Sequence, residues 1–150
     1  MATQVGDVMT RDVETIHHDE DVHVLEKLML EKKIHGVPVV NDQEKLVGVV
    51  SQTDLLAWHF HTGVDGVSFY GDADVSIPGV DPRTIKVDDI SAATVEEVMS
   101  PLVYCIGPDR PLAEAAAMMI RKWIHRLVVV DDELHVLGVI SVIDLLHSFP

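Results

Sequence analysis

Two passages of the chain share one pattern of apolar and polar positions. In the first, Val22, Leu25, Leu28 and Met29 recur at helical spacing, an unbroken apolar run follows at 37–40, and a second run at 46–50 stops at Ser51. In the second, Leu112, Ala115, Ala116, Met119 and Trp123 form the stripe, and apolar runs at 127–130 and 136–140 stop at Ser141. Runs without alternation are those of strands covered on both faces. The pairs Asn41-Asp42 and Asp131-Asp132 separate the runs as turns. Brief strands are also predicted at 13–16 and 103–106, and a closing helix begins after each serine. Each passage therefore reads as short helix, strand, helix, strand, strand, helix. Met29 and Met119 fall inside the stripes and are read as core residues, not as cofactor ligands.

The agreement is a true internal repeat. Sliding the sequence by 90 residues aligns 5–57 with 95–147 without a gap, and 19 of these 53 positions are identical. Gly48-Val49-Val50-Ser51-Gln52-Thr53-Asp54-Leu55-Leu56 returns as Gly138-Val139-Ile140-Ser141-Val142-Ile143-Asp144-Leu145-Leu146. Thr94 to Glu97 form an S/T-x-x-E capping box ahead of the second short helix. Asp19 and Asp109 are the expected N-caps of the long helices, with Pro111 in the first turn of the second. Pro38 is expected near a strand start or on an edge, because it cannot donate to a ladder. The expected division is a first unit at 1–60, a linker at 61–93 and a second unit at 94–150. The linker is rich in Gly, Asp and Ser, with Pro78 and Pro82 as breakers; Phe69, Tyr70 and Ile77 suggest that it packs against something.

Composition narrows the function classes. At 150 residues and 47% hydrophobic, the chain can bury a core as one domain or as two small lobes. It holds no apolar run of about 18 residues and no basic-then-apolar leader, so the expectation is a soluble cytoplasmic protein without a membrane partner. Cys105 stands alone, which excludes an internal disulfide and a CxxC zinc site and makes it a small core residue. The net charge of −14 opposes the phosphate attraction that nucleic-acid binders use, and DNA or RNA is not an expected partner. Screening over a Debye length of about 8 Å still permits one phosphate to bind where local donors suit it.

The Ser-x-x-Asp motifs admit two readings. A serine N-cap with an acidic N3 residue is a capping arrangement contributing about 1 kcal/mol and needing no ligand. The same geometry offers helix amides to a phosphate and a carboxylate to the two hydroxyls of a ribose. His35-Gly36 and His125-Arg126, just before the central runs, supply the context. Arg126 has the fork that suits phosphate oxygens; a surface ion pair with one of the many carboxylates is its alternative. His59 and His61 stand at i,i+2 and do not face one another on a helix, so they are read as exposed; His17 and His18 are placed at a turn. No metal site follows. No serine sits in a G-x-S-x-G elbow, and catalysis has no positive support.

The succession Val-Met-Thr, helix, Ile-His-Gly-Val-Pro-Val-Val, then Gly-Val-Val-Ser-x-x-Asp-Leu-Leu resembles a CBS domain, and the tandem resembles a CBS pair, or Bateman module. The second unit, Ile124-His125-Arg126 through Ser141-Val142-Ile143-Asp144, is similar to the adenylate-binding units in the γ subunit of AMP-activated protein kinase. The resemblance implies an α/β (α+β) fold of tandem βαββα units with pseudo-two-fold symmetry and two clefts that take AMP, ADP, ATP or S-adenosylmethionine. Carried onto this chain, one cleft would use Asp144, Ser141, His125 and Arg126, with Ile34 and the segment from Thr10 to Thr15 lining the base. The other would use Asp54, Thr53, Ser51 and His35, with Ile124 and the segment 100–106. Gly36 in place of Arg126 removes a phosphate donor from the second set, and Ile143 in place of Thr53 removes a hydroxyl from the first. The nucleotide with phosphates is therefore expected at Asp144, and a less charged adenosyl ligand at Asp54.

The resulting expectation is a non-catalytic, homodimeric sensing module that requires no cofactor, binds an adenosine-containing small molecule and passes its state to a regulated protein. Its rival is a structural or dimerisation module whose Ser-x-x-Asp repeats only cap helices. Metal sensing through the histidines ranks below both.

Overall fold

The computed structural model describes residues 3–61 and 93–149; most of the expected linker, with Phe69, Tyr70 and Ile77, lies outside them. The first unit runs α1 (Val5–Val8), β1 (Ile16–His17), α2 (Val22–Lys32), β2 (Gly36–Val40), β3 (Leu46–Ser51), α3 (Gln52–His61). The second repeats it as α4 (Val95–Val98), β4 (Cys105–Ile106), α5 (Leu112–Lys122), β5 (Arg126–Val130), β6 (Val136–Ser141), α6 (Val142–His147). Each unit holds a three-stranded mixed sheet, ordered β1-β2-β3 or β4-β5-β6, with the central strand parallel to the first and antiparallel to the third. This is the α+β architecture expected of tandem βαββα units.

The apolar stripes explain the cores. Leu25 and Met29 of α2 bury against Val37, Val39 and Val50, while Ala115 and Met119 of α5 bury against Leu127, Val129 and Ile140. Val95 and Val98 belong to the first of these cores, and Val5 and Met9 to the second. The short helices have thus exchanged places. Val95 and Glu96 donate their N–H groups to the carbonyls of Glu20 and His18, and Val5 and Gly6 donate to those of Arg110 and Pro108. Each bond has its counterpart 90 residues away, which is the pseudo-two-fold relation written in hydrogen bonds.

The exchange explains the repeated Met-Thr, Met-Ser and glycine positions. Thr10 forms reciprocal backbone bonds of 2.9 and 3.0 Å with Val139 of β6, and Ser100 forms bonds of 2.8 and 3.0 Å with Val49 of β3. A Cβ at Gly138 would stand 2.5 Å from the Thr10 carbonyl oxygen, and one at Gly48 would stand 2.9 Å from that of Ser100. Only glycine lets the crossing chain come this close.

Four details differ from the sequence reading. The strands expected at 13–16 and 103–106 shrink to two residues, because the preceding segments leave the sheet to cross the opposite unit. The N-caps are Asp21, whose Oδ1 accepts the His23 N–H at 2.7 Å, and Pro111, not Asp19 and Asp109. In both units the chain takes one more turn, as Val22 and Leu112 donate to the carbonyls of Ala93 and Thr3. Trp123 is 93% exposed: α5 ends at Lys122, and a left-handed φ of 55° swings Trp123 out of the stripe. Pro38 occupies the third position of a central strand, paired with Val49, yet it still avoids a ladder donor position. At the equivalent place Val128 donates to the carbonyl of Tyr104, on the side where β1 has not yet begun.

Candidate functional site

The lead-in segments of both units and the first halves of the two central strands enclose a cleft of about 590 Å³. Its walls are largely apolar. Val13, Ile34, Val37 and Pro38 come from the first unit, and Leu102, Val103, Ile124, Leu127 and Val128 from the second, with Val49 and Val139 at the crossings. The polar lining comprises Thr10, Asp12, Glu14, Ser100, Tyr104, Arg126, Ser141 and Asp144. An apolar cavity of a few hundred Å³ with a small set of convergent polar groups is the common form of a small-molecule site.

At the start of α6, Asp144 Oδ2 accepts the Ser141 N–H at 2.8 Å and the Ser141 hydroxyl at 2.9 Å, while Ser141 Oγ faces the Asp144 N–H at 3.2 Å. The Val142 amide donates to the carbonyl of His125 at 2.9 Å. The same contacts recur at Ser51, Asp54, Gln52 and His35. The capping role is therefore real in both units. It uses only one oxygen of Asp144, and Oδ1 forms no hydrogen bond with a described residue.

The copies part company at the cleft. Asp144, Ser141, Arg126, Ile34, Ile124 and Thr10 line it; Asp54, Thr53, Ser51, His35, His125 and Thr15 do not. Ile124 and, from the segment 100–106, Ser100, Leu102, Val103 and Tyr104, all assigned from sequence to the Asp54 set, line the same cavity as Asp144. Both histidines of the repeat are exposed, and what the structure draws from them is the backbone carbonyl that holds the first amide of α3 or α6. Lining residues not singled out by the sequence, such as Val37, Pro38, Leu127 and Val139, each stand one to three residues from one that was. Their apolar character merges them with the core in any sequence reading.

Among the described residues Arg126 is the one cation lining the cleft, with Asp12, Glu14 and Asp144 as its acidic members. Lys32 Nζ lies 3.6 Å from Glu14 Oε1. Arg126 is exposed and forms no ion pair or hydrogen bond with a described residue, so the surface ion pair weighed as its alternative is not made among the described residues. Its five N–H donors suit an anion. Tyr104 carries Lys122 Nζ 5.5 Å from its ring centroid.

Several other histidines are better partnered than their spacing suggested. His59 is not simply exposed: its Nε2 lies 2.7 Å from Glu26 Oε1, and His23 Nδ1 lies 3.2 Å from Oε2 of the same carboxylate. His17 belongs to β1, not a turn, and its Nε2 lies 2.9 Å from Glu44 Oε1. His17, Asp19 and Asp42 bring potential metal ligands within 4.8 Å of one another at the surface. The His18 imidazole, 3.1 Å from Glu96, is held above its ordinary pKa by that hydrogen bond, which ties α4 to the first unit. Among the described residues no helix is long and apolar enough to cross a membrane.

Comparison with known proteins agrees with this geometry. The CBS domain family model matches residues 5–60 and again 95–150. Uncharacterized protein MJ1426 of Methanocaldococcus jannaschii is 26% identical over 152 residues, covering 96% of this chain and 89% of its own. The chloroplastic CBS domain-containing protein CBSX2 of Arabidopsis thaliana is 29% identical over 147 residues; the match spans 91% of this chain but only 59% of that protein. The crystal structure of CBSX2 in complex with AMP superposes with a TM-score of 0.71 at 26% identity, covering 97% of this chain and 94% of that one. The CBS domain pair of protein MJ0100, in complex with 5-methylthioadenosine and S-adenosyl-L-methionine, shares the fold with a TM-score of 0.70 at 22% identity, covering 98% and 95%. With two matched repeats, a duplicated βαββα fold and a cleft between the units, the chain belongs to the CBS domain family.

Proposed function

We propose that this protein is a non-catalytic regulatory module that binds an adenosine nucleotide, AMP, ADP or ATP, in the cleft at Asp144. One observation carries this reading: of two Ser–Asp caps alike in their contacts, only the second lines the cavity, and there it meets an arginine that pairs with no described residue. Asp144 Oδ1 would accept from the ribose hydroxyls and Arg126 would hold a phosphate, while Ile34, Ile124 and Pro38 offer apolar surface to the base. The AMP complex of the similar CBSX2 supports the ligand class. S-adenosylmethionine is the second ligand reading, favoured by three carboxylates against one arginine among the described lining residues and by the MJ0100 complex.

The protein would act as a homodimer and pass its ligand state to a regulated protein. The free, half-buried thiol of Cys105 fits a reducing compartment such as the cytoplasm. The rival, a structural module without nucleotide, draws on the complete capping contacts in both units. Calorimetry or thermal shift with AMP, ADP, ATP and S-adenosylmethionine separates the readings. A ligand at about 100 times its dissociation constant stabilises the fold by about 2.7 kcal/mol. No response to any adenosyl compound would leave the rival standing.

A further inference from the structure

The end of β1 carries a group of metal-ligating side chains that has no part in the cleft. His17 closes β1 and pairs in register with Val40, the last residue of β2. The turn that follows β2 therefore sets Asp42 and Glu44 beside the imidazole of His17. One potential ligand atom from each of His17, Asp19 and Asp42 lies within 4.8 Å of the other two. Asn41 Oδ1 accepts the N–H groups of Gln43 and Lys45 at 2.9 and 3.0 Å, which holds the turn in shape.

Carboxylates alone would only collect counter-ions; the imidazole gives this group a direction. Its Nε2 lies 2.9 Å from Glu44 Oε1. A carboxylate only accepts, so this bond puts the ring proton on Nε2 and leaves Nδ1 with its lone pair. Nδ1 lies 4.0 Å from Asp42 Oδ1, too far for a hydrogen bond. Two atoms bound to one ion at about 2.0–2.2 Å each sit roughly 3–4 Å apart, so this gap is the width of a shared metal ion. A histidine that binds a metal through one nitrogen commonly donates the other N–H to a carboxylate, which fixes its tautomer. The neighbouring His18 is otherwise engaged, its Nδ1 lying 3.1 Å from Glu96 Oε2. The repeat supplies a contrast. The second unit keeps Asp109 and Asp132 but has Gly107 and Leu134 at the positions of His17 and Glu44. The imidazole and the carboxylate that orients it are present together in one unit and replaced together in the other.

We propose that His17, Asp19 and Asp42 bind a divalent transition-metal ion, with Glu44 orienting the imidazole and water completing the coordination. An imidazole nitrogen with two carboxylates favours Zn²⁺ over Mg²⁺ and Ca²⁺, which take oxygen ligands. The net charge of −14 draws cations toward the surface. The ion ties the turn after β2 to the segment 17–20, whose His18 and Glu20 carbonyls receive the first amides of α4. Metal binding thus stiffens the seat of the exchanged helix and stabilises the fold.

Calorimetry and thermal shift on the full, chelator-treated chain test this, with Zn²⁺ as the probe and Mg²⁺ and Ca²⁺ beside it. The expected result is one Zn²⁺ per chain, a matching rise in Tm, and clearly weaker binding of the other two ions. His17→Gln and Asp42→Asn should abolish the zinc step, and Glu44→Leu should weaken it about 10–100-fold. Asp42→Asn leaves the bond between His17 and Glu44 intact, so its metal-free Tm should match wild type and separate loss of metal from loss of folding. His59→Gln, in the separate group with Glu26 and His23, should bind zinc as wild type does. Nitrogen-15 spectra should place the ion on Nδ1 of His17. Equal binding of all three ions would reduce the group to an acidic patch and overturn the proposal. A zinc step that survives His17→Gln overturns it as well, and so does the absence of any response to Zn²⁺. An unchanged affinity in Glu44→Leu removes Glu44 from its orienting role.

Discussion

Gly138→Ala tests the central structural claim, that each unit is locked by a segment of the other. The added methyl would lie 2.5 Å from the Thr10 carbonyl oxygen and 3.1 Å from Met9 Sδ. The backbone oxygen cannot rotate away, so the crossing chain must retreat. Overpacking a core typically costs about 1–3 kcal/mol, and weakening the two Thr10–Val139 bonds adds about 0.5–1.5 kcal/mol each. The expected loss is about 3 kcal/mol, or a fall in Tm of about 6–12 °C for a chain of this size. Gly48→Ala should cost less, because its nearest obstacle at 2.5 Å is the flexible Met99 Sδ and the Ser100 carbonyl lies at 2.9 Å. Gly36→Ala is the control. Its methyl would meet nothing closer than the Val50 carbonyl oxygen at 3.6 Å and should stay within about 0.5 kcal/mol of wild type. Urea unfolding with a constant m-value measures all three. A Gly138→Ala protein as stable as the Gly36→Ala control would refute the crossing geometry. Since Thr10 also lines the cleft, Gly138→Ala should weaken adenosyl-ligand binding as well, which Gly48→Ala should do less.

Asp144→Ala and Asp54→Ala should each lose about 1 kcal/mol of stability from the cap, but only Asp144→Ala should abolish the nucleotide-dependent thermal shift; equal loss in both would place ligand at both units. Arg126→Ala should weaken AMP more than adenosine by calorimetry, and an equal effect on the two would remove Arg126 from the phosphate. His18 is held above its ordinary value of 6.5 by the Glu96 hydrogen bond first, so its contact contributes stability present below pH 6.5 and lost as pH rises through the folded value. Accordingly, the stability gap between wild type and His18→Gln should close in alkaline buffer. Asp131 is held below its ordinary 3.8, first by the backbone N–H of His135, so its contribution is present above pH 3.8 and fades as pH falls through the depressed value. Asp131→Ala should therefore lower stability at neutral pH and lose that deficit in acid denaturation.

The sequence by itself determined what is local or periodic. Helical stripes and apolar runs mark α2, α5 and the paired strands because burial of one face imposes its period on a continuous segment. The 90-residue repeat marks two equivalent units, and Ser-x-x-Asp marks both caps, since capping contacts span only three residues. Where a local rule stopped applying, the reading slipped: Trp123 kept the helical period although it is itself the left-handed C-cap that ends α5, and Asp19 and Asp109 looked like caps because the extra turn is held by bonds to Ala93 and Thr3.

Tertiary structure alone decided the exchange of α1 and α4, the need for Gly48 and Gly138, and the choice of Asp144 over Asp54 at the cleft. Each depends on groups far apart in the chain, such as Val49 and Ser100 or Thr10 and Val139, whose meeting leaves no period in either segment. The two Ser–Asp caps are alike in residue and in hydrogen bonds. They differ only in which cavity wall the folded chain sets beside them.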